Sequence, residues 1–157
     1  MSYYEWSWLA VGAYAVHILE EFALDWRNWA RAVIKLPVEW SDFYVTNAVV
    51  IVLGVVQAQL STSLPVLFLA YAALMLINAT FFHVLPMIVT GGRFSPGVVT
   101  AVCLFCPIGL GSFRQAGTDG DLSAGVAFAA VTMGAALMAF PIILLRAKSR
   151  PYFRQTV

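Results

Sequence analysis

The chain has 157 residues, of which 61% are hydrophobic and only 11% are charged. A soluble domain has about 45–50% apolar and about 25% charged residues, so this composition excludes an ordinary soluble fold and indicates a membrane protein. The length predicts a single domain over residues 1–157. The net charge of +1 gives no indication of nucleic acid as a partner, and two cysteines are too few for a disulfide framework.

Five apolar stretches are long enough to cross a bilayer core, which takes about 20 helical residues. Because lipid offers the backbone no hydrogen-bond partners, each stretch is predicted to be a helix, which gives an all-α integral membrane bundle. No Lys or Arg precedes the first stretch, so we expect a span there and not a signal peptide. The predicted spans are about 4–24, 43–61, 65–89, 97–114 and 122–145.

Two connecting segments have recognisable patterns. The segment from Asp25 to Leu36 mixes apolar and basic residues, which predicts a short amphipathic helix along the membrane interface, ended by Pro37. The segment from Thr90 to Gly97 is rich in Gly, Ser and Pro and predicts a turn between the third and fourth spans.

The basic residues predict the orientation of the bundle. Only Arg114 of the nine Lys and Arg residues falls on one side of the five predicted spans. The prediction is therefore an N-terminus outside the cell and a C-terminus in the cytoplasm. The basic residues on the cytoplasmic side are Arg27, Arg31, Lys35, Arg93, Arg146, Lys148, Arg150 and Arg154.

An ionisable cluster lies inside the first span. His17, Glu20 and Glu21 stand at positions i, i+3 and i+4, within a sector of about 100° on a helix. Ionisable side chains within a membrane are costly unless they are paired or hydrated, so they indicate a catalytic or metal-binding site. A structural polar network is the alternative, and Glu21 is near enough to the helix end to reach the headgroups.

Polar residues in other spans lie at a similar depth. His83 is six residues from the predicted inner end of the third span, so both histidines of the chain are expected in the cytoplasmic half. Asn47 and Asn78 are candidates for binding a substrate or for joining helices. On a regular helix Asn78 lies about 140° from His83.

Prolines and cysteines complete the candidate features. Pro86, Pro107 and Pro141 each free a carbonyl four residues earlier, and the resulting kinks would favour a pocket. Cys103 and Cys106 form a C-x-x-C pattern. It fits a redox pair acting on a quinone-like substrate, a pair of thiolate ligands, or small apolar packing residues.

The run from His17 to Glu21 resembles the motif of the HXXEE family of small bacterial membrane proteins. The family has an Asn followed by a His in its middle span, as Asn78 and His83 are here, and a Pro-Gly such as Pro96-Gly97 at the start of the next span. The resemblance covers roughly residues 8–145. It implies a multi-pass protein of the bacterial inner (plasma) membrane and leaves the activity open.

The leading hypothesis is a membrane-embedded enzyme that acts on a lipophilic small molecule by proton transfer, as an isomerase, cyclase or hydrolase. Neighbouring carboxylates in a low-dielectric site divide into an acid and a base. Glu20 would be one of them, with Glu21, His17 and His83 as partners.

Two alternatives use the same residues. In the first, His17, His83, Glu20 and Glu21 hold zinc or non-haem iron, whose usual ligands they match. In the second, the cluster is the proton relay of a small transporter or permease subunit. Five helices without an internal repeat do not form an inverted-repeat carrier, so that protein would need to be a homo-oligomer.

Overall fold

The computed structural model describes residues 1–148, 150 and 152, and over these residues it contains helices and no strand. This confirms the all-α prediction for the described part of the chain. The helices are α1 (Tyr3–Ala23), α2 (Trp26–Val33), α3 (Trp40–Leu60), α4 (Pro65–Val89), α5 (Val98–Asp119) and α6 (Ala124–Lys148).

Within the described residues, four helices, α3 to α6, are long and apolar enough to cross a membrane. The protein is therefore a multi-pass membrane protein. At 21 residues α1 has the length of a span, but it also carries Glu5, Glu20 and Glu21. A fifth membrane crossing, by α1, and the orientation stay predictions. Arg154, one of the residues on which the orientation depends, lies outside the described residues.

Two predicted boundaries differ from the structure. α5 continues to Asp119, five residues beyond the predicted end, because only Gly120 (φ 83°) turns the chain. α2 ends at Val33, well before Pro37, because Lys35 adopts a left-handed conformation (φ 56°). The Lys35 ammonium group then donates to the carbonyl of Ala32 at 2.8 Å, as a cation at a helix C-terminus favours.

Reciprocal side-chain caps fix the start of α1 and α3. The backbone N–H of Glu5 donates to the Ser2 hydroxyl at 3.2 Å, and Glu5 accepts in return from the Ser2 N–H at 2.7 Å. Glu39 and Asp42 form the same kind of box at the start of α3. Such boxes satisfy backbone donors that a helix start leaves free.

The interfacial helix α2 is tied to α3 by ion pairs. Arg27 and Arg31 both contact the carboxylate of Glu39. These two guanidinium groups hold the pKa of Glu39 below its usual value of 4.5. Because the carboxylate is about half-exposed, the pairs position α2 more than they stabilise it.

α4 is the central helix of the bundle. It packs against α1, α3, α5 and α6, and its residues from Phe68 to Met75 are all buried. α6 approaches it most closely at Gly134, where a Cβ would lie 2.8 Å from the backbone nitrogen of Leu74. Small residues at such crossings let membrane helices come into backbone contact. By contrast α3 and α6 expose apolar side chains outward, as lipid-facing helices do.

Both α4 and α5 contain a π-helical segment, Ala79–Val84 and Ala101–Phe105 respectively. Each segment precedes a proline, Pro86 in α4 and Pro107 in α5. Proline removes a backbone donor and crowds the preceding turn, so the local winding changes before it. π segments are frequent at functional sites, and the first one here contains His83.

Candidate functional site

Three buried side chains converge where α1 meets α4. His17 and His83 are fully buried and Glu21 is 5% exposed. The Nε2 atoms of both histidines lie 3.5 Å from the same Glu21 oxygen, Oε1. The two imidazole rings are almost perpendicular, at 87°, with centroids 4.8 Å apart. The meeting of the histidines, which their depth in the sequence predicted, is therefore present in the structure.

Glu20 points elsewhere, although the sequence placed it in the same group of acid–base residues and metal ligands. Its carboxylate accepts the backbone N–H groups of Gly97 (3.0 Å), Val99 (3.2 Å) and Thr100 (2.8 Å) at the start of α5. An anion is stabilised there because the first N–H groups of a helix lack partners within the helix. Glu20 is thus an N-terminal cap supplied by another helix, and we correct its predicted place among the ligands.

A hydroxyl connects this cap to the first histidine. The Thr100 hydroxyl donates to Oε2 of Glu20 at 2.6 Å. The oxygen of this hydroxyl, Oγ1 of Thr100, lies 2.7 Å from Nδ1 of His17. Because the hydroxyl has one proton and gives it to the carboxylate, it must accept from Nδ1–H of His17. That assignment leaves a lone pair on Nε2 of His17, directed at Glu21.

The second histidine is held in a similar way. Ser95 lies 3.1 Å from Nδ1 of His83, and its hydroxyl donates to the carbonyl of Phe82 at 3.4 Å. Pro86 frees that carbonyl from the helix, as the sequence predicted. With its proton directed to Phe82, Ser95 accepts from Nδ1–H of His83, so the Nε2 of His83 also has a lone pair facing Glu21.

Glycine is required where α5 begins. Gly97 has a φ of 96°, and a Cβ there would lie 2.5 Å from Cε1 of His83 and 2.8 Å from Cε1 of His17. On the other side Phe105 packs on His17 with ring centroids 4.3 Å apart. Both imidazole rings therefore lie against the bare backbone of Gly97, and the ring of His17 also packs on an aromatic side chain.

A partly open apolar cavity of about 90 Å³ adjoins the cluster at Glu21. Asn47 and Asn78, the predicted substrate-binding residues, both line it, as does Tyr14. Much of its apolar wall comes from α6, including Leu137, Met138 and Pro141. The structure thus places both asparagines beside the cluster, and their role in binding stays a prediction.

The remaining candidates lie apart. Cys103 and Cys106 are free thiols, and Cys103 is exposed on the outer surface of α5. Neither belongs to the group of potential metal ligands, which consists of His17, Glu21 and His83 within the described residues.

Sequence reasoning missed Thr100 and Ser95 as supports of the histidines. The only signal was their place beside the Pro96-Gly97 turn, where hydroxyl residues are common whatever their role.

Searches of curated proteins and of solved structures find no match to the chain. A family model does match it, over residues 8–111, and the family is described as protein of unknown function with HXXEE motif. The matched range includes His17, Glu20 and Glu21, which stand as the motif itself, together with His83 and Gly97. The chain belongs to the HXXEE family.

Proposed function

We propose that the protein is a membrane-embedded enzyme of the bacterial inner membrane that acts on a lipophilic small molecule by acid–base chemistry. The observation that carries this proposal is the contact of one buried carboxylate, Glu21, with two buried imidazoles on one side and an apolar cavity on the other. General acid–base catalysis uses a titratable side chain positioned within reach of the substrate, and the exclusion of water strengthens its electrostatic interactions.

The surroundings of the cluster favour a reactive role over a structural one. Polar side chains that only join helices have their hydrogen bonds satisfied, because an unpaired buried polar atom costs free energy. Here the Nε2 atoms of His17 and His83 have no hydrogen-bond partner among the described residues. Two uncommitted basic atoms beside a carboxylate are available to take a proton from a substrate or from a bound water.

The cavity favours a lipophilic substrate. Its volume of about 90 Å³ is well below the roughly 300–1,000 Å³ of ordinary ligand pockets. It therefore suits the reacting end of a molecule whose remainder lies in the bilayer. Asn78 and Asn47 would orient a polar group of that end, since each amide offers both a donor and an acceptor.

The test is conversion of a lipophilic compound by membranes that contain the protein. Vesicles from cells expressing the wild type or Glu21→Gln would be incubated in D2O with bacterial total lipid extract, followed by high-resolution mass spectrometry. We expect one lipophilic compound to change mass or retention with the wild type, and its rate to fall by about 10²–10⁴-fold with the variant, the usual contribution of an acid–base group.

Glu5→Gln is the matched control, because it makes the same change on the same helix at the other end. Gln can also occupy this position of a capping box, so α1 keeps its start. Equal conversion by wild type and Glu21→Gln would refute the proposal. So would movement of an unchanged solute across proteoliposomes as the sole measurable activity, which would favour the transporter alternative.

A further inference from the structure

We propose that His17, His83 and Glu21 bind one divalent transition-metal ion, zinc or ferrous iron, through Nε2, Nε2 and Oε1. This inference rests on the proposed function and deepens it: the two Nε2 atoms would be metal ligands, and a water held by the metal would exchange the proton in their place. It depends on the three atoms that meet at the centre of the cluster and on the hydrogen bonds behind them.

Lone pairs of three buried atoms, two imidazole nitrogens and one carboxylate oxygen, converge at the centre of the cluster. The Thr100 and Ser95 hydroxyls accept hydrogen bonds from Nδ1–H of the two histidines, so both Nε2 atoms present lone pairs. The third atom is a carboxylate oxygen of Glu21, which is only an acceptor when ionised. Three buried acceptors facing one another are unfavourable alone, and a cation between them removes that cost.

The distances among the three proposed ligand atoms can be compared with those of a zinc site. All the ligand atoms lie within 4.8 Å of one another, and both Nε2 atoms are 3.5 Å from Oε1. With bonds of about 2.0–2.1 Å, two ligand atoms of a tetrahedral zinc site are about 3.3–3.4 Å apart. The two distances to Oε1 are close to this value.

A hydroxyl group holds the Nδ1 side of each histidine. Metal-binding histidines almost always donate their other N–H to an oxygen that fixes the ring and its tautomer. His17 donates to Thr100, which is itself held by Glu20, and His83 donates to Ser95. Through this connection Glu20 is a positioning residue, although it contacts no ligand atom of the cluster.

Two histidines and one carboxylate leave coordination positions free. This ligand set is typical of catalytic zinc, which keeps a water in its fourth position, and of non-haem iron(II) with open sites. Glu21 is the ligand that lines the cavity, so the free positions face the space where a substrate would lie. The metal is therefore proposed as part of the reaction centre.

The test is metal stoichiometry of the full chain purified in lipid nanodiscs. After incubation with Zn²⁺, or with Fe²⁺ under anaerobic conditions, and removal of free metal, elemental analysis should find about one ion per wild-type chain. His83→Gln and Glu21→Gln should lower that occupancy by at least tenfold. Glu5→Gln should bind as the wild type does.

A measurement on the wild type alone guards against variants that fail to fold. X-ray absorption of the zinc-loaded protein should show nitrogen and oxygen ligands at about 2.0–2.1 Å, with the scattering of two imidazoles. Sulfur at about 2.3 Å would assign the metal to Cys103 and Cys106 and overturn the inference. Folded wild-type protein that takes up no stoichiometric metal would overturn it too.

The inference and the proposed function fail separately. Conversion of a lipophilic compound that depends on Glu21 but survives complete removal of metal would overturn the role of the metal in the reaction centre and leave the enzyme. Stoichiometric metal at the two histidines without any chemical conversion would uphold the metal site and refute the enzyme.

Discussion

Gly97 offers the sharpest test of the geometry at the two histidines, through a pair of matched substitutions. Gly97 and Gly92 have nearly the same φ, 96° and 95°. A side chain at Gly92 would meet nothing within 4 Å, whereas at Gly97 it would lie 2.5 Å and 2.8 Å from the imidazole carbons of His83 and His17. Gly92→Ala therefore measures the backbone strain, and Gly97→Ala measures the strain plus the contact with the rings.

The expected difference can be worked from these values. An L-residue at such a positive φ costs about 1–2 kcal/mol in either variant. Overpacking against buried side chains adds about 1–3 kcal/mol, and only at Gly97. For a chain of this length a loss of 1 kcal/mol lowers Tm by about 2–4 °C, so Gly97→Ala should melt roughly 2–12 °C below Gly92→Ala.

The assay is thermal unfolding in one detergent, followed by tryptophan fluorescence, with metal occupancy measured on the same samples. Gly97→Ala should also lose metal, because its methyl group displaces the imidazoles, while Gly92→Ala should keep it. Equal melting temperatures and equal occupancy for the two variants would refute the packing of Gly97 against the two histidines.

Three further predictions concern the supports and the surroundings of the site. Thr100→Val removes the hydroxyl that holds His17 and should weaken metal affinity by about 10–100-fold in chelator competition, and unchanged affinity would contradict the proposed connection. The lowered pKa of Glu39 means that its pairing with two arginines of α2 stabilises the fold above about the ordinary Glu value of 4.5 and is lost as pH falls below it. Thermal melts across that range should therefore show a small acid-side drop in Tm that Glu39→Gln removes, and the same slope in both proteins would contradict it. Replacing both Cys103 and Cys106 by Ser should leave metal content and conversion unchanged, and lost conversion would restore the redox interpretation.

Hydropathy and spacing account for much of the fold. The third predicted span has the bounds of α4, and the meeting of His17 with His83 follows from their similar depth in two helices that are predicted to cross the membrane in the same direction. Depth along the membrane normal can be read from sequence because each helical residue adds a fixed rise of about 1.5 Å. Depth alone was therefore enough to predict the contact between His17 and His83.

The direction in which a side chain points around its helix axis could not be predicted from depth. Glu20 and Glu21 are adjacent and their directions differ by about 100°, so which one faces α4 and which faces α5 depends on how α1 packs. Asn78 was placed about 140° from His83 on a regular helix, yet it lines the cavity that Glu21 lines. The π segment explains this, because hydrogen bonds from i to i+5 bring residues five apart towards the same face.

The family match covers the proposed reaction centre and only part of the cavity wall. It ends at residue 111, and so omits α6 (Ala124–Lys148), whose Leu137, Met138 and Pro141 form part of the cavity wall. The side chains proposed for chemistry therefore lie within the matched range, whereas part of the cavity wall comes from a helix beyond it. Exchanging residues of α6 on the cavity side should alter selectivity among lipophilic molecules while leaving the reaction centre in place, which makes that helix the natural one to vary when the substrate is to be changed.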